Sequence, residues 1–121
     1  MKALSLRQPY ASFIAIGRKT IETRFWSTNY RGPLLICSSK GKIYEGVPHA
    51  GLFNLKLHFG MALATVELID CRRMRKEDEV AAMISYHKSL YAWVLSNIKK
   101  IDPFPVKGQL KLFEVYYKET K

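Results

Sequence analysis

The chain has 121 residues, enough for one domain spanning 1–121 with a core of its own. Its 48% hydrophobic and 25% charged residues exclude a disordered chain, and no apolar run approaches the ~20 residues that cross a bilayer. Lys and Arg number 20 against 10 acids, a net charge of +10, which sets up a field attractive to polyanions. An anionic membrane surface suits the charge less well, because no long basic amphipathic helix is visible. The start, Met1-Lys2-Ala3-Leu4-Ser5-Leu6, lacks the apolar core and cleavage site of a signal peptide, so a cytoplasmic location is expected.

Ser5 to Arg7 reads as a short strand leading to a helix over Pro9 to Ile16. Pro9 suits a first helical turn, and Tyr10, Phe13 and Ile14 recur at helical spacing before Gly17 stops it. Lys19 to Trp26 alternates as a strand, with Thr20, Glu22, Arg24 and Trp26 on one face and Lys19, Ile21, Thr23 and Phe25 on the other. After a turn at 29–33, Leu34 to Ser38 is a buried strand. Lys40 to Gly60 is irregular, with a helical turn or two expected over Ala50 to His58. Met61 to Cys71 is the clearest strand, and a basic run, Arg72 to Lys76, follows it.

A helix is predicted over Lys76 to Lys88. Val80, Met83, Ile84 and His87 form its apolar stripe, and Glu77, Asp78 and Glu79 sit at its N-terminal end. Tyr91 to Leu95 is a strand that Lys99 to Asp102 continues or pairs with, and Pro103 and Pro105 break the regularity. Leu110 to Tyr117 is read as a last strand. Five or six strands with two or three short helices make a mixed α+β domain built on a small bent sheet or barrel.

Cys37 and Cys71 lie in apolar stretches and read as buried free thiols. Neither has a second ligand at a metal-binding spacing, and His49, His58 and His87 are scattered, so neither a disulfide nor a metal is expected. The stretch from Gly17 to Arg24 is the candidate site. Lys19 offers a compact cation, Arg24 a planar fork for phosphate or a base edge, and Glu22 an acceptor that also orients its neighbours. Trp26, Tyr30 and Trp93 are candidates to stack on an unpaired base, and Trp93 in its apolar strand reads rather as core. Glu67 shares a face with Leu63, Thr65 and Ile69; either it pairs there with Lys19 or Arg24 across the sheet, or it faces solvent.

Several ordered motifs run together along the chain. They are Ser5-Leu6-Arg7-Gln8-Pro9-Tyr10-Ala11-Ser12, the pattern Gly17-x-Lys19-x-x-Glu22-x-Arg24, Tyr30-Arg31-Gly32-Pro33, Val66 to Cys71, Tyr91 to Leu95, Pro105-Val106-Lys107-Gly108-Gln109-Leu110 and Phe113-Glu114-Val115. The set resembles the ASCH domain, the activating signal cointegrator homology family of the PUA-like superfamily. The resemblance implies a small bent β-barrel flanked by short helices, and a cleft beside it that holds RNA or a nucleotide.

Matched residue by residue, the ligand-binding set is Gly17, Lys19, Glu22 and Arg24. Gln8 and Pro9 match the family's segment at the cleft rim, and Ser38, Lys40, Trp26 and Tyr30 are further rim candidates. Some similar proteins are N4-acetylcytidine amidohydrolases and others are described as ribonucleases. The first pattern has a Thr three positions after its Lys, where this chain has Glu22. If the protein is an enzyme, Lys19 and Glu22 are its expected catalytic pair, with Glu67, Glu77, Asp78 or Glu79 as the assisting acid. The expected partner is RNA, single-stranded nucleic acid or a nucleotide, taken without a cofactor, a metal or a membrane by a monomer.

Overall fold

In the computed structural model, which describes residues 1–44 and 55–118, one six-stranded sheet carries the domain. The strands are β1 (Lys2–Leu6), β2 (Ile21–Arg24), β3 (Gly32–Ser38), β4 (Met61–Arg73), β5 (Tyr91–Pro105) and β6 (Phe113–Glu114). Helix α1 (Tyr10–Ala15) follows β1, and a 3-10 turn (Lys76–Asp78) leads into α2 (Glu79–Ala82) between β4 and β5. The spatial order is β2-β5-β4-β3-β1-β6; β1 and β3 run parallel and every other pair is antiparallel.

The runs at 34–38 and 61–71 become β3 and β4 because their apolar residues serve both faces of the sheet. On one face Leu34, Ile36, Ala64, Val66, Leu68, Trp93 and Leu95 pack under Ala11, Ile14 and Ala15 of α1. Behind them Ala3, Leu35, Cys37, Ala62 and Phe113 form a second cluster, and Ile21, Met74, Ala82, Leu90 and Ala92 form a third beneath α2. Register shifts at Ala62/Ala64, Thr65/Glu67 and Leu68/Asp70 bend the β4–β5 ribbon, and Asn97, at φ +49°, takes the left-handed turn that one of them requires. The architecture is α+β and PUA-like, but the barrel is open. β2 has four residues and β6 two, so the terminal strands are too short to zip together.

Several element boundaries differ from the sequence expectation; β2 is only Ile21–Arg24 of the expected Lys19 to Trp26, β3 begins at Gly32 and β4 runs on to Arg73. The first strand is Lys2–Leu6, starting earlier than Ser5. The expected helix over 76–88 shrinks to the 3-10 turn and the four residues of α2, because Met83 turns left-handed at φ +56° and the Tyr86 N–H donates to Glu79 Oε2 at 2.6 Å. Tyr91 to Pro105 is one strand despite its prolines. β2 covers β5 only as far as Val94, so beyond it one edge has no strand partner to miss a proline N–H. The last strand is only Phe113–Glu114, since Lys111 sits at φ +58° and Leu110 is 94% exposed. The helical turn expected over Ala50 to His58 falls largely outside the described residues.

Both cysteines are free thiols. Cys37 is buried, which pushes its pKa up to about 12, whereas Cys71 is only half-buried. Among the described residues no helix is long and apolar enough to cross a membrane.

Candidate functional site

Gly17 directs the chain into the site. At φ +81° it lets its own N–H donate to the Ile14 carbonyl (2.9 Å) and the Arg18 N–H to the Phe13 carbonyl (2.9 Å). These are the paired bonds of a Schellman stop. The Lys19 N–H also returns to the Phe13 carbonyl at 3.1 Å, so the backbone doubles back beneath α1. Lys19 precedes β2 and escapes the strand's alternation, which is why it meets Glu22 instead of facing away from it.

Only 1% of Lys19 is exposed. Its ammonium donates to the Ala82 carbonyl of α2, lies 3.5 Å from Glu22 Oε1 and sits 4.6 Å from the centre of the Tyr10 ring. Burial lowers the Lys19 pKa, with Glu22 pulling it back up. Burial likewise raises the Tyr10 phenol to about 12, reinforced by Tyr44 and Glu22. The second oxygen of Glu22 takes Arg24 Nε at 3.0 Å, and Arg24 Nη2 donates to the Ser5 carbonyl at 2.8 Å. Lys19, Glu22 and Arg24 thus form one polar chain from the core outward, and its last link ties β2 to β1 across the open side of the barrel.

A cleft of about 860 Å³ lies along that opening. β2 and its continuation, Phe25 and Trp26, form one wall, and residues 107–111 with the ends of β1 and β3 form the other. Among the described residues five cations line it, Arg7, Arg24, Lys40, Lys107 and Lys111, against one carboxylate, Glu22. Glu22 is neutralised by Lys19 and Arg24, so the balance of charge facing a ligand is positive.

Two glycines set this geometry. At Gly60, φ +68°, an added Cβ would stand 2.9 Å from both Cγ and Cε of Lys40, so a larger residue would displace the Lys40 stem. At Gly108 a Cβ would meet Ser5 Oγ at 3.0 Å, so its absence allows residues 107–111 to close against β1. Ser38 anchors the floor, its Oγ accepting the Met61 N–H at 3.2 Å and donating to the Met61 carbonyl at 3.3 Å. Next to it, Ser39 Oγ is buried with no hydrogen-bond partner among the described residues. Trp26 stands half-buried, edge-on to Trp93 at 4.8 Å, with the Lys111 ammonium 5.8 Å from its ring centre.

Of the residues singled out in the sequence, Glu22, Arg24, Trp26, Ser38 and Lys40 line the cleft, and Lys19 lies directly behind Glu22. Gln8 and Pro9 are buried beneath it. Gln8 Oε1 accepts the Ser12 N–H (3.0 Å) as a helix cap, while its Nε2 donates to Ser12 Oγ (2.7 Å) and the His58 carbonyl (2.8 Å). Gly17 shapes the turn without reaching the cleft. Tyr30 packs on the core and donates to the Pro33 carbonyl at 2.5 Å, also away from the cleft.

The assisting acids are elsewhere. Glu67 stands in β4 opposite Pro33 and Ser96, and Asp78 pairs with Arg72. Glu79 borders a separate hollow of about 410 Å³ beside Tyr10 and Met83, and the exposed Glu77 lines neither space. Thr23, inside the predicted stretch, lines the cleft too, and Arg7, Phe25, Ser39, Tyr44 and residues 107–111 also line it without having been read as site residues. The glycine inside Lys107-Gly108-Gln109 was the available signal of a close backbone approach. Among the described residues no three His, Cys, Asp or Glu side chains gather in a way that could hold a metal ion.

The sequence profile of the ASCH domain family matches residues 4–105. The chain belongs to the ASCH domain family. It is 30% identical over 126 residues to activating signal cointegrator 1 of Mus musculus and, equally, of Homo sapiens, covering 93% of this chain. It spans only about a fifth of the length of those relatives, 22% of each. Among solved structures it resembles the ASCH protein from Zymomonas mobilis, with a TM-score of 0.64 at 13% identity over 95% of this chain and 87% of the other. A single-residue variant of that protein gives a TM-score of 0.63 at the same identity, over 95% of this chain and 89% of the other. At such identity the likeness concerns the fold, which is the ASCH, PUA-like arrangement. Membership in the family is consistent with RNA binding in general.

Proposed function

We propose that this ASCH domain binds RNA, or a nucleotide from it, in the cleft between β2 and residues 107–111. The observation that carries the reading is the charge arrangement. Among the described residues the cleft's one carboxylate is already neutralised, while Lys40, Lys107 and Lys111 have no salt-bridge partner. Phosphates fit those cations, and the half-buried Trp26 offers a ring for an unpaired base. Arg24 is held by Glu22 and Ser5, so it presents a fixed fork that costs little further ordering on binding. In this reading Lys19 positions Glu22 and does not touch the ligand.

Titration of fluorescent single-stranded RNA tests the proposal. Lys40→Ala and Lys107→Ala, both at exposed positions, should each weaken binding by about 1 kcal/mol, and affinity should fall as salt rises. Unchanged affinity in both variants would remove the cleft from consideration.

Hydrolysis of a modified nucleoside or of RNA is the alternative, because Glu22 reaches the cleft with a buried ammonium 3.5 Å behind it and Thr23 beside it. Incubation with N4-acetylcytidine or RNA at high protein concentration checks it. Absence of cytidine or of cleaved RNA eliminates that chemistry.

A further inference from the structure

Phe25 lines the cleft, yet it is 70% exposed, and its ring meets His87 edge-on at 6.0 Å. Beside His87 is Lys88, whose carbonyl accepts Arg73 Nη1 at 3.4 Å, and the Arg73 guanidinium lies 4.7 Å from the centre of the Tyr91 ring. The strand register fixes the same neighbourhood from below. Arg24 pairs with Tyr91 and Tyr91 with Arg73, so the three stand in one row across β2, β5 and β4. Two interstrand steps put Arg73 about 10 Å from Arg24 across the sheet.

Arg73 and Lys88 are exposed and have no salt-bridge partner among the described residues. The neighbouring Arg72, by contrast, is occupied by Asp70 and Asp78. An exposed aromatic at the cleft mouth, followed by unpaired cations and an arginine stacked on a tyrosine, is the chemistry that follows a nucleic-acid strand: rings for bases, cations for phosphates.

We infer that this track, Phe25, His87, Lys88, Arg73 and Tyr91, is a second binding surface that receives the sugar–phosphate chain as it leaves the cleft. The ligand is then a single-stranded nucleic acid several nucleotides long, and a free nucleotide fills only part of the site. The inference rests on the cleft reading proposed above.

The experiment compares the four nucleoside monophosphates with a mixed-sequence single-stranded RNA of about ten nucleotides, within the span of small single-strand binding sites. The RNA should bind at least about tenfold more tightly than any monophosphate. Arg73→Ala with Lys88→Ala should remove about tenfold of RNA affinity and leave monophosphate binding unchanged. A control pair, Lys100→Ala with Lys118→Ala, removes the same charge elsewhere and should leave both unchanged. Lys88→Glu alone, at an exposed loop position, repeats the test should the double variant fold poorly.

Equal affinity for RNA and monophosphate overturns the inference and leaves the cleft standing. So does an equal loss in the track pair and the control pair. If neither ligand binds the wild-type protein, the cleft reading fails and the track falls with it.

Discussion

Lys19 is the residue that most constrains this domain. A buried ammonium carries a desolvation cost, and here it is offset by the Ala82 carbonyl, Glu22 and the Tyr10 ring. Because burial lowers the Lys19 pKa, the folded state holds that proton less tightly than the unfolded chain does. The cost is full below the folded pKa and fades as pH rises toward the ordinary lysine value of 10.5, so this residue makes stability rise with pH. Tyr10 acts in the opposite sense. The unfolded phenol ionises near 10.0 and the folded one near about 12, so stability present below that window is lost across it. The alkaline profile should therefore hold or rise to about pH 9 and then fall, the buried Cys37 thiol, raised from 9.0 to about 12, adding to the loss from Tyr10. Tyr10→Phe should lessen the fall, on the order of 1 kcal/mol after allowing for the partial exposure of Tyr10, and leave the part due to Cys37. Lys19→Met should abolish the rise. Urea unfolding from neutral to alkaline pH measures all three proteins, and a fall in Tyr10→Phe as large as in the wild type refutes the assignment.

At the scale of elements, α2 matters beyond its four residues because its Ala82 carbonyl receives Lys19. The short helix is held by Asp78, which accepts Arg72 Nη1 and Nη2 at 2.7 and 3.0 Å and the Arg75 N–H at 2.8 Å. Arg72 lowers the Asp78 pKa, so the stability this clamp provides is present above the ordinary value of 3.8 and is lost as pH falls below it. Asp78→Asn should cost about 2 kcal/mol and should speed hydrogen exchange over 79–82 at neutral pH. Exchange unchanged at those amides would show that packing, and not the clamp, holds the element.

The same element marks where sequence reading stopped working. β3 and β4 were legible because apolar runs such as Leu34 to Ser38 have one use, as did Gly17 after a helical stripe. Residues 76–88 carry a helical period too, yet Val80 is 88% exposed, and the stripe ends where Met83 turns left-handed. The left-handed Met83 and the bond from the Tyr86 N–H to Glu79 decide that outcome, and no local pattern announces them. Glu22, Arg24 and Lys40 were legible as charges in or beside strands. Lys107 and Lys111 were not, because they reach the cleft only through the approach of Gly108 to Ser5, two segments about a hundred residues apart in sequence.

For the molecule as a whole, the decisive feature is that the barrel does not close. The gap between β2 and β1 is bridged by the Arg24 guanidinium, and the cleft occupies the rest. A net charge of +10 draws polyanions to every face, so the question is whether binding follows the total charge or the gap. Counterion release separates the two. If Arg7, Lys40, Lys107 and Lys111 make the phosphate contacts in the cleft, log K for a short single strand should fall with log salt at a slope of about −3. Binding by the whole net charge would give a slope nearer −7. The slope from titrations between about 50 and 200 mM salt distinguishes the two. In the cleft case, Lys107→Ala should reduce the slope by about 0.7, since one phosphate contact disappears. A slope near −7 that Lys107→Ala leaves untouched would mean that the open seam has no part in recognition, and that the ligand spreads over the basic surface without a site.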